Sequence, residues 1–286
     1  MTDQPDLSST FVVSMTTRIH RHAAVYAEEI IDHLAGLDGR HRQPREERLL
    51  DSFNTHVETV VASYEPPGIR RRGDSLVFAD VYAATREPHT DDDEHGTVPL
   101  EFLAALLAAE VEFRGPLRLS GTQNTMLAEV YERLGDCLRS AGLPGHAALA
   151  FRRAGSLHRQ NEDDDDADRC GLAQARARFE ALPPSWRRTG GHISDLLCGY
   201  GYQPFRLLAW MALLLVGFTL MISFITGVEV PATFYLCLMN FLNPVGVGDT
   251  TDIGGVGQTL LVIEAYVGTV STSVFFALLV RRWFRL

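Results

Sequence analysis

The stretch Pro244-Val245-Gly246-Val247-Gly248-Asp249 alternates glycine with valine and closes on an acid. Glycine reaches backbone conformations that other residues avoid, so alternating glycines let successive carbonyl oxygens turn to one side. Oxygens gathered in this way from several chains can replace the water shell of a cation. Such chemistry belongs to the main chain and needs no catalytic side chain. A second candidate is Glu264, the one charged residue inside the apolar run 256–280. Acids in such runs are costly and face protein or water. Glu264 either attracts cations or bonds the apolar segment before the glycines. More simply, it lies two turns into its helix, close enough to the outer surface to reach water.

The remaining polar residues show no pattern of side-chain catalysis. The chain has no GxGxxG and no GxxxxGK[ST], and the GIRRRGD stretch at 68–74 has the wrong spacing for a phosphate loop. Its histidines form no HExxH or triad pattern, and His20 and His22 point to different faces of a helix. The acid run 162–168 lacks the alternating ligand positions and the glycine of a calcium loop, so it reads as a solvated face. Cys137, Cys170, Cys198 and Cys237 have neither CxxC spacing nor paired histidines, which argues against a zinc site or a disulfide framework. The expectation is therefore a protein that is not an enzyme, with no cofactor and no metal beyond permeating cations. Residues 1–203 carry 32 Asp and Glu against 22 Arg, whereas residues 204–286 carry four of each. So acidic a soluble part argues against nucleic acid as a partner. All 26 basic residues are arginine, from codon bias or from a high-GC or salt-adapted source. The N-terminus lacks a basic start and a cleavable apolar stretch, so no signal peptide is expected.

The elements that must hold the glycine stretch are apolar. Residues 207–228 are 22 residues without a charge, and 256–280 are 25 residues with Glu264 alone. A hydrocarbon core of roughly 30 Å needs about 20 helical residues, so each run can span once. Arg187, Arg188 and Arg206 precede the first run, and Arg281, Arg282 and Arg285 follow the second. Arginine placement thus predicts a multi-pass protein of the cell membrane, in contact with lipid, with both termini cytoplasmic. The segment 231–242, PATFYLCLMNFL, is apolar but too short to cross and return. It reads as a short helix that dips in and ends partway, leaving the glycines at depth, where irregular backbone survives only when buried in protein or lining water.

The order helix, short helix, V-G-x-G-D, helix resembles the pore domain of potassium channels with two transmembrane helices. The resemblance covers 204–286. Gly268 also stands nineteen positions beyond Asp249, where that family carries a hinge glycine in its inner helix. By resemblance, 244–249 is the filter, 231–242 the pore helix and Gly268 the gating hinge, in a homotetramer that passes a monovalent cation, potassium or sodium. Thr269, Thr272 and Phe276 follow helical spacing below the filter and either line the inner cavity or face lipid and neighbouring helices. Three positions depart from the family: Asn243 and Pro244 replace threonines and Val247 replaces a tyrosine. These departures leave two outcomes open, a wider and less selective cation path or a filter that does not conduct. In the second case the chain is a membrane-anchored scaffold or signalling protein that keeps the pore fold.

The fold class expected is mostly α: a helical cytoplasmic domain over 1–190, an interfacial segment over 191–203 and the two-helix pore domain. Ile193, Leu196 and Leu197 of the interfacial segment would face lipid, with Tyr200 and Tyr202 at headgroup level. Residues 9–36 form an amphipathic run with Val13, Ile19, Val25, Ile30 and Leu34 inward. Further helices are expected over 44–64, 99–111 and 168–180, while 75–83 is either a strand or a helical turn. Residues 128–158 resemble a single tetratricopeptide repeat through Tyr131, Leu134, Gly135, Leu138, Gly142, Ala147, Phe151 and Ala154. A helical hairpin that converged on the same pattern is the other reading. Such a domain would gate the pore or dock a protein partner or ligand.

Overall fold

A computed structural model describes residues 7–35, 42–65, 75–85, 99–182, 191, 195–242 and 254–284. Among these residues the chain is helical, with no strand. It divides into two compact units, Met1–Arg188 and Thr189–Leu286.

The first unit holds α1 (Leu7–Ala35), α2 (Arg42–Val61), α3 (Ala79–Ala83), α4 (Leu100–Arg114), α5 (Gly121–Ser140), α6 (Pro144–Gln160) and α7 (Asp164–Ala181). Helix α4 is its axle. Every residue from Leu103 to Glu112 is buried, and α1, α2, α3 and α5 pack around it. A helix buried on all sides needs no polar stripe. Helix α5 opens on a capping box in which the Ser120 hydroxyl accepts from the Gln123 N–H and the Gln123 side chain accepts from the Ser120 N–H. Helices α5 and α6 form a hairpin at residues 128–158, with the Phe151 ring pressed onto Gly135, where a Cβ would meet it at 2.8 Å.

Helix α1 corrects one expectation. Its buried stripe is Met15, Ile19, Ala23, Tyr26 and Ile30, whereas Val13 is 62 % and Val25 49 % exposed. The true stripe steps by four, four, three and four residues, as helix geometry requires; Val13 and Val25 sit six from Ile19 and so on other faces. The side chain of Leu34 lies outside the described residues. The stretch 75–83 resolves as a turn followed by the short helix α3.

The second unit holds α8 (Pro204–Thr226), α9 (Val230–Leu242) and α10 (Gly254–Phe284). Helices α8 and α10 are long and apolar enough to cross a membrane. Helix α8 ends at Gly227, which takes a left-handed φ of 72°, the conformation glycine supplies at helix ends without a Cβ penalty. Only two residues separate it from Val230, so α9 must fold back along α8. Leu197 packs on the cluster of Leu207, Met211 and Phe241, so it does not join Leu196 in facing outward; Leu196 is exposed. Tyr200 and Tyr202 are half-buried.

Candidate functional site

The three helices of the second unit pack on one another, and α9 supplies the centre. Cys237 is buried with Ile222 and Leu261; one turn on, Phe241 is buried with Leu207 and Met211. Along α9 the neighbours on α8 thus move from near its end toward its beginning, so the two helices run antiparallel. The 13 residues of α9 cover only about 20 Å at 1.5 Å per residue.

Its one amide, Asn240, ties α9 to α10. The Asn240 Nδ2 donates to the Leu261 carbonyl at 2.7 Å and to the Glu264 carboxyl at 3.1 Å. The Cys237 thiol also hydrogen-bonds Glu264. Glu264 is 0 % exposed. In α10, which starts at Gly254, Glu264 lies nearly three turns in, and α9 covers that turn, so its carboxyl does not reach the surface. Its second oxygen, Oε1, has no hydrogen-bond partner.

Gly268 lies one turn further along the same buried face, and a Cβ there would stand 2.9 Å from the Phe241 ring. The glycine therefore has a packing reason to exist, the close approach of two helices. Thr272 continues that face, with its Oγ1 buried and unpartnered. The Thr269 hydroxyl donates to the Ala265 carbonyl. Of the trio, Thr272 is half-buried, whereas its helical neighbours Thr269 and Phe276 are exposed. The filter residues Pro244, Val245, Gly246, Val247, Gly248 and Asp249 lie outside the described residues.

The first unit brings together polar residues that sequence spacing did not connect. Glu110, on the buried α4, accepts from Arg114 Nε at 2.7 Å, from Arg153 at 2.8 and 3.0 Å and from the Tyr131 hydroxyl at 3.1 Å. The Arg153 guanidinium in turn lies 4.5 Å above the Phe113 ring. Burial, followed by the charge on Glu110, raises the Tyr131 phenol well above its ordinary range. Glu46 of α2 caps α6 from outside, accepting from the Gly145 and His146 N–H groups at 2.7 and 3.3 Å. A carboxylate at a helix N-terminus meets both orphan donors and the positive end of the dipole. The fully buried His146 ring spans Glu46 on Nδ1 and Tyr26 on Nε2, at 3.2 and 2.5 Å. Two groupings can be considered for a metal: Glu132, His158 and Cys170, and His158, Asp163 and Asp166, each with ligand atoms within 4.8 Å of one another. A cleft of about 310 Å³ opens where α2, α6 and α7 meet, with Arg152 and Arg178 on its wall. Burial and the nearby charges of Arg153 and Arg178 lower the proton affinity of Arg152.

No family model, no curated protein and no solved structure matches the chain.

Proposed function

We propose that the chain is a subunit of a potassium-channel-like cation channel of the cell membrane, assembled from four copies and coupled to its soluble helical unit. The observation that carries this reading is α9. It is an apolar helix too short to span, packed between two helices that can, locked to one of them by a buried Asn–Glu bond and followed at once by the V-G-V-G-D segment. Such a helix delivers its C-terminal end to mid-depth, where a carbonyl ring from four chains replaces the water around a potassium or sodium ion. The exposure of apolar side chains supports a membrane setting. Phe224 is 91 % exposed, and Tyr266, Val262 and Val256 stand out on α10. A protein in water rarely presents so continuous an apolar surface, which lipid and neighbouring copies would cover. The arginines at both ends support cytoplasmic termini. The tetratricopeptide-like hairpin and the cleft beside α7 are where a protein partner or ligand would engage, biasing an opening at Gly268.

The test is current through purified protein in planar bilayers with potassium and sodium on opposite sides. The expected result is a cation current that Gly246→Leu abolishes while the tetramer persists. A silent wild-type protein under every condition overturns the reading.

Pro244 favours a second reading, a membrane-anchored scaffold or signalling protein without conduction. Proline removes the hydroxyl ligand of the family's threonine, holds φ near −65° and lacks an N–H. In that case the wild type passes no current and Gly246→Leu changes stability alone.

A further inference from the structure

We propose that His158, Asp163 and Asp166 form a binding site for a first-row divalent transition-metal ion at the turn between α6 and α7. The turn itself places the ligands. Asp163 N–H donates to the His158 carbonyl and Glu162 N–H to the Arg159 carbonyl, at 3.0 and 3.2 Å, the double bond pattern that closes a helix with a left-handed residue. Here that residue is Glu162, at φ 60°. The closure brings Asp163 back beside the last turn of α6. Helix α7 starts one residue later, and Asp166, three positions on, falls on the same side as Asp163.

Acids at a helix start are common and complement its dipole, so the acid run alone signifies nothing. The second observation is the imidazole. His158 is 2 % exposed. Its Nε2 lies 2.8 Å from Glu132 Oε1. Glu132 also accepts from Arg169 on both oxygens and from the Cys170 thiol. With the Arg169 guanidinium donating to both its oxygens, Glu132 is the acceptor and His158 Nε2 the donor. That tautomer leaves the lone pair on Nδ1. Nδ1 is buried and without a hydrogen-bond partner, and the nearest group is Asp163 Oδ2 at 3.9 Å.

A carboxylate that fixes one imidazole nitrogen so that the other meets a cation is the usual outer shell of a metal-bound histidine. One imidazole and two carboxylates suit manganese, iron or zinc better than magnesium or calcium, which prefer oxygen alone. Two aspartates balance a dipositive ion. Both are surface side chains, so rotation brings their oxygens to about 2.0–2.2 Å from an ion held by Nδ1. Asp166 meanwhile bonds Arg169, which stays anchored on Glu132 when Asp166 turns to the metal. The other grouping fits an ion poorly. Glu132 already accepts from the Arg169 guanidinium and from the Cys170 thiol, so its oxygens are taken.

The test is calorimetric titration of chelator-stripped full-length protein in detergent with Zn²⁺ and, separately, Mn²⁺, using Mg²⁺ as the control. The expected result is one Zn²⁺ or Mn²⁺ per chain, weaker binding of Mg²⁺, and at least a tenfold loss of affinity in Asp163→Asn and in Asp166→Asn. Asp163 is exposed and Asp166 half-buried, and circular dichroism checks that both variants keep the fold. His158→Gln should lose the site, and Glu132→Gln should weaken it by about 10–100-fold through loss of the orienting carboxylate; circular dichroism checks that both buried variants remain helical. Absence of saturable binding overturns the proposal. So does diffuse binding of several ions that Asp163→Asn and a folded His158→Gln leave unchanged.

Discussion

Two buried acids of the first unit, Glu110 and Glu46, find partners that Glu264 in the second unit does not. Glu110 receives two guanidinium groups and a phenol, and Glu46 two backbone N–H groups and an imidazole. Glu264, in the second unit, meets only an amide and a thiol, and one of its oxygens stays unpartnered. A buried charge costs several kcal/mol per ion unless compensated. In the first unit cations meet Glu110 and a helix start meets Glu46, while Glu112 accepts from the Val77 N–H and the Tyr82 hydroxyl; in the second, Glu264 has neutral donors. In the first unit the acids are cross-links between distant helices. In the second the carboxyl is the tie that fixes one short helix against a long one, in surroundings where no arginine is at hand.

The contrast predicts its largest effect at Glu110. Glu110→Ala strands Arg153, Arg114 and Tyr131 around a hole in the core. Removing one partner of a buried ion pair costs about 3–5 kcal/mol, which chemical denaturation followed by circular dichroism would read as a large drop in midpoint. A loss below about 1 kcal/mol would mean that water screens this network as it does a surface pair, and the contrast between the units would fade.

Gly268 comes next. Gly268→Val drives a side chain into the Phe241 ring, an overpacking that costs about 1–3 kcal/mol. Thermal unfolding in detergent should fall and recover when Phe241→Ala is added. Full recovery of stability with channel opening still altered would separate a hinge role from the packing role. No loss in the single variant would mean that α9 and α10 do not approach as described.

The pair Asn240 and Glu264 sharpens the comparison at smaller scale. Asn240→Ala leaves a buried carboxyl oxygen and the Leu261 carbonyl without their donor, at about 1–3 kcal/mol. Glu264→Gln keeps the shape and an acceptor oxygen for the Asn240 amide, and should cost under about 1 kcal/mol. An equal loss in both would mean that the carboxyl acts through its charge, as Glu110 does with its arginines.

What the sequence made legible follows from range. The helices were visible because apolar periodicity is local. Helix α1 was misread only in its face, since Val13, Ile19 and Val25 share hydrophobicity but not a helical stripe. Glu264 stood out as a lone acid, and Asn240 offered the matching signal, a single amide in an apolar helix. A bond from Glu264 to the apolar segment was one of the readings, but its partner Asn240 was not named, because the contact spans 24 residues and depends on α9 folding back. The bond from His146 to Tyr26 spans 120 residues, and that from His146 to Glu46 spans 100; no spacing rule reaches so far. Likewise His158 acquires meaning only when the turn at Glu162 brings Asp163 beneath it and α5 brings Glu132.

The smallest effect lies in the histidines, and its sign is fixed. His22 and His56 meet Nδ1 to Nδ1 at 2.9 Å. Burial first, and then the charges of His56, Arg18 and Arg21, lower the proton affinity of His22 below its ordinary value of 6.5. The folded chain thus binds fewer protons than the unfolded chain below that pH, so acid favours unfolding. The contribution of His22 is fully present above about pH 6.5 and is lost as pH falls from there toward the lower folded value. Glu132 responds in a separate window: with its folded value below the usual 4.5, its contribution holds above that value and fails only in stronger acid. The first unit should therefore melt a few degrees lower at pH 5.5 than at pH 7.5. His22→Gln should flatten that slope and leave the loss below pH 4.5 intact. A rise in stability on acidification would mean that the ion pair of His56 with Glu29, at 3.6 Å, outweighs the repulsion between the two rings.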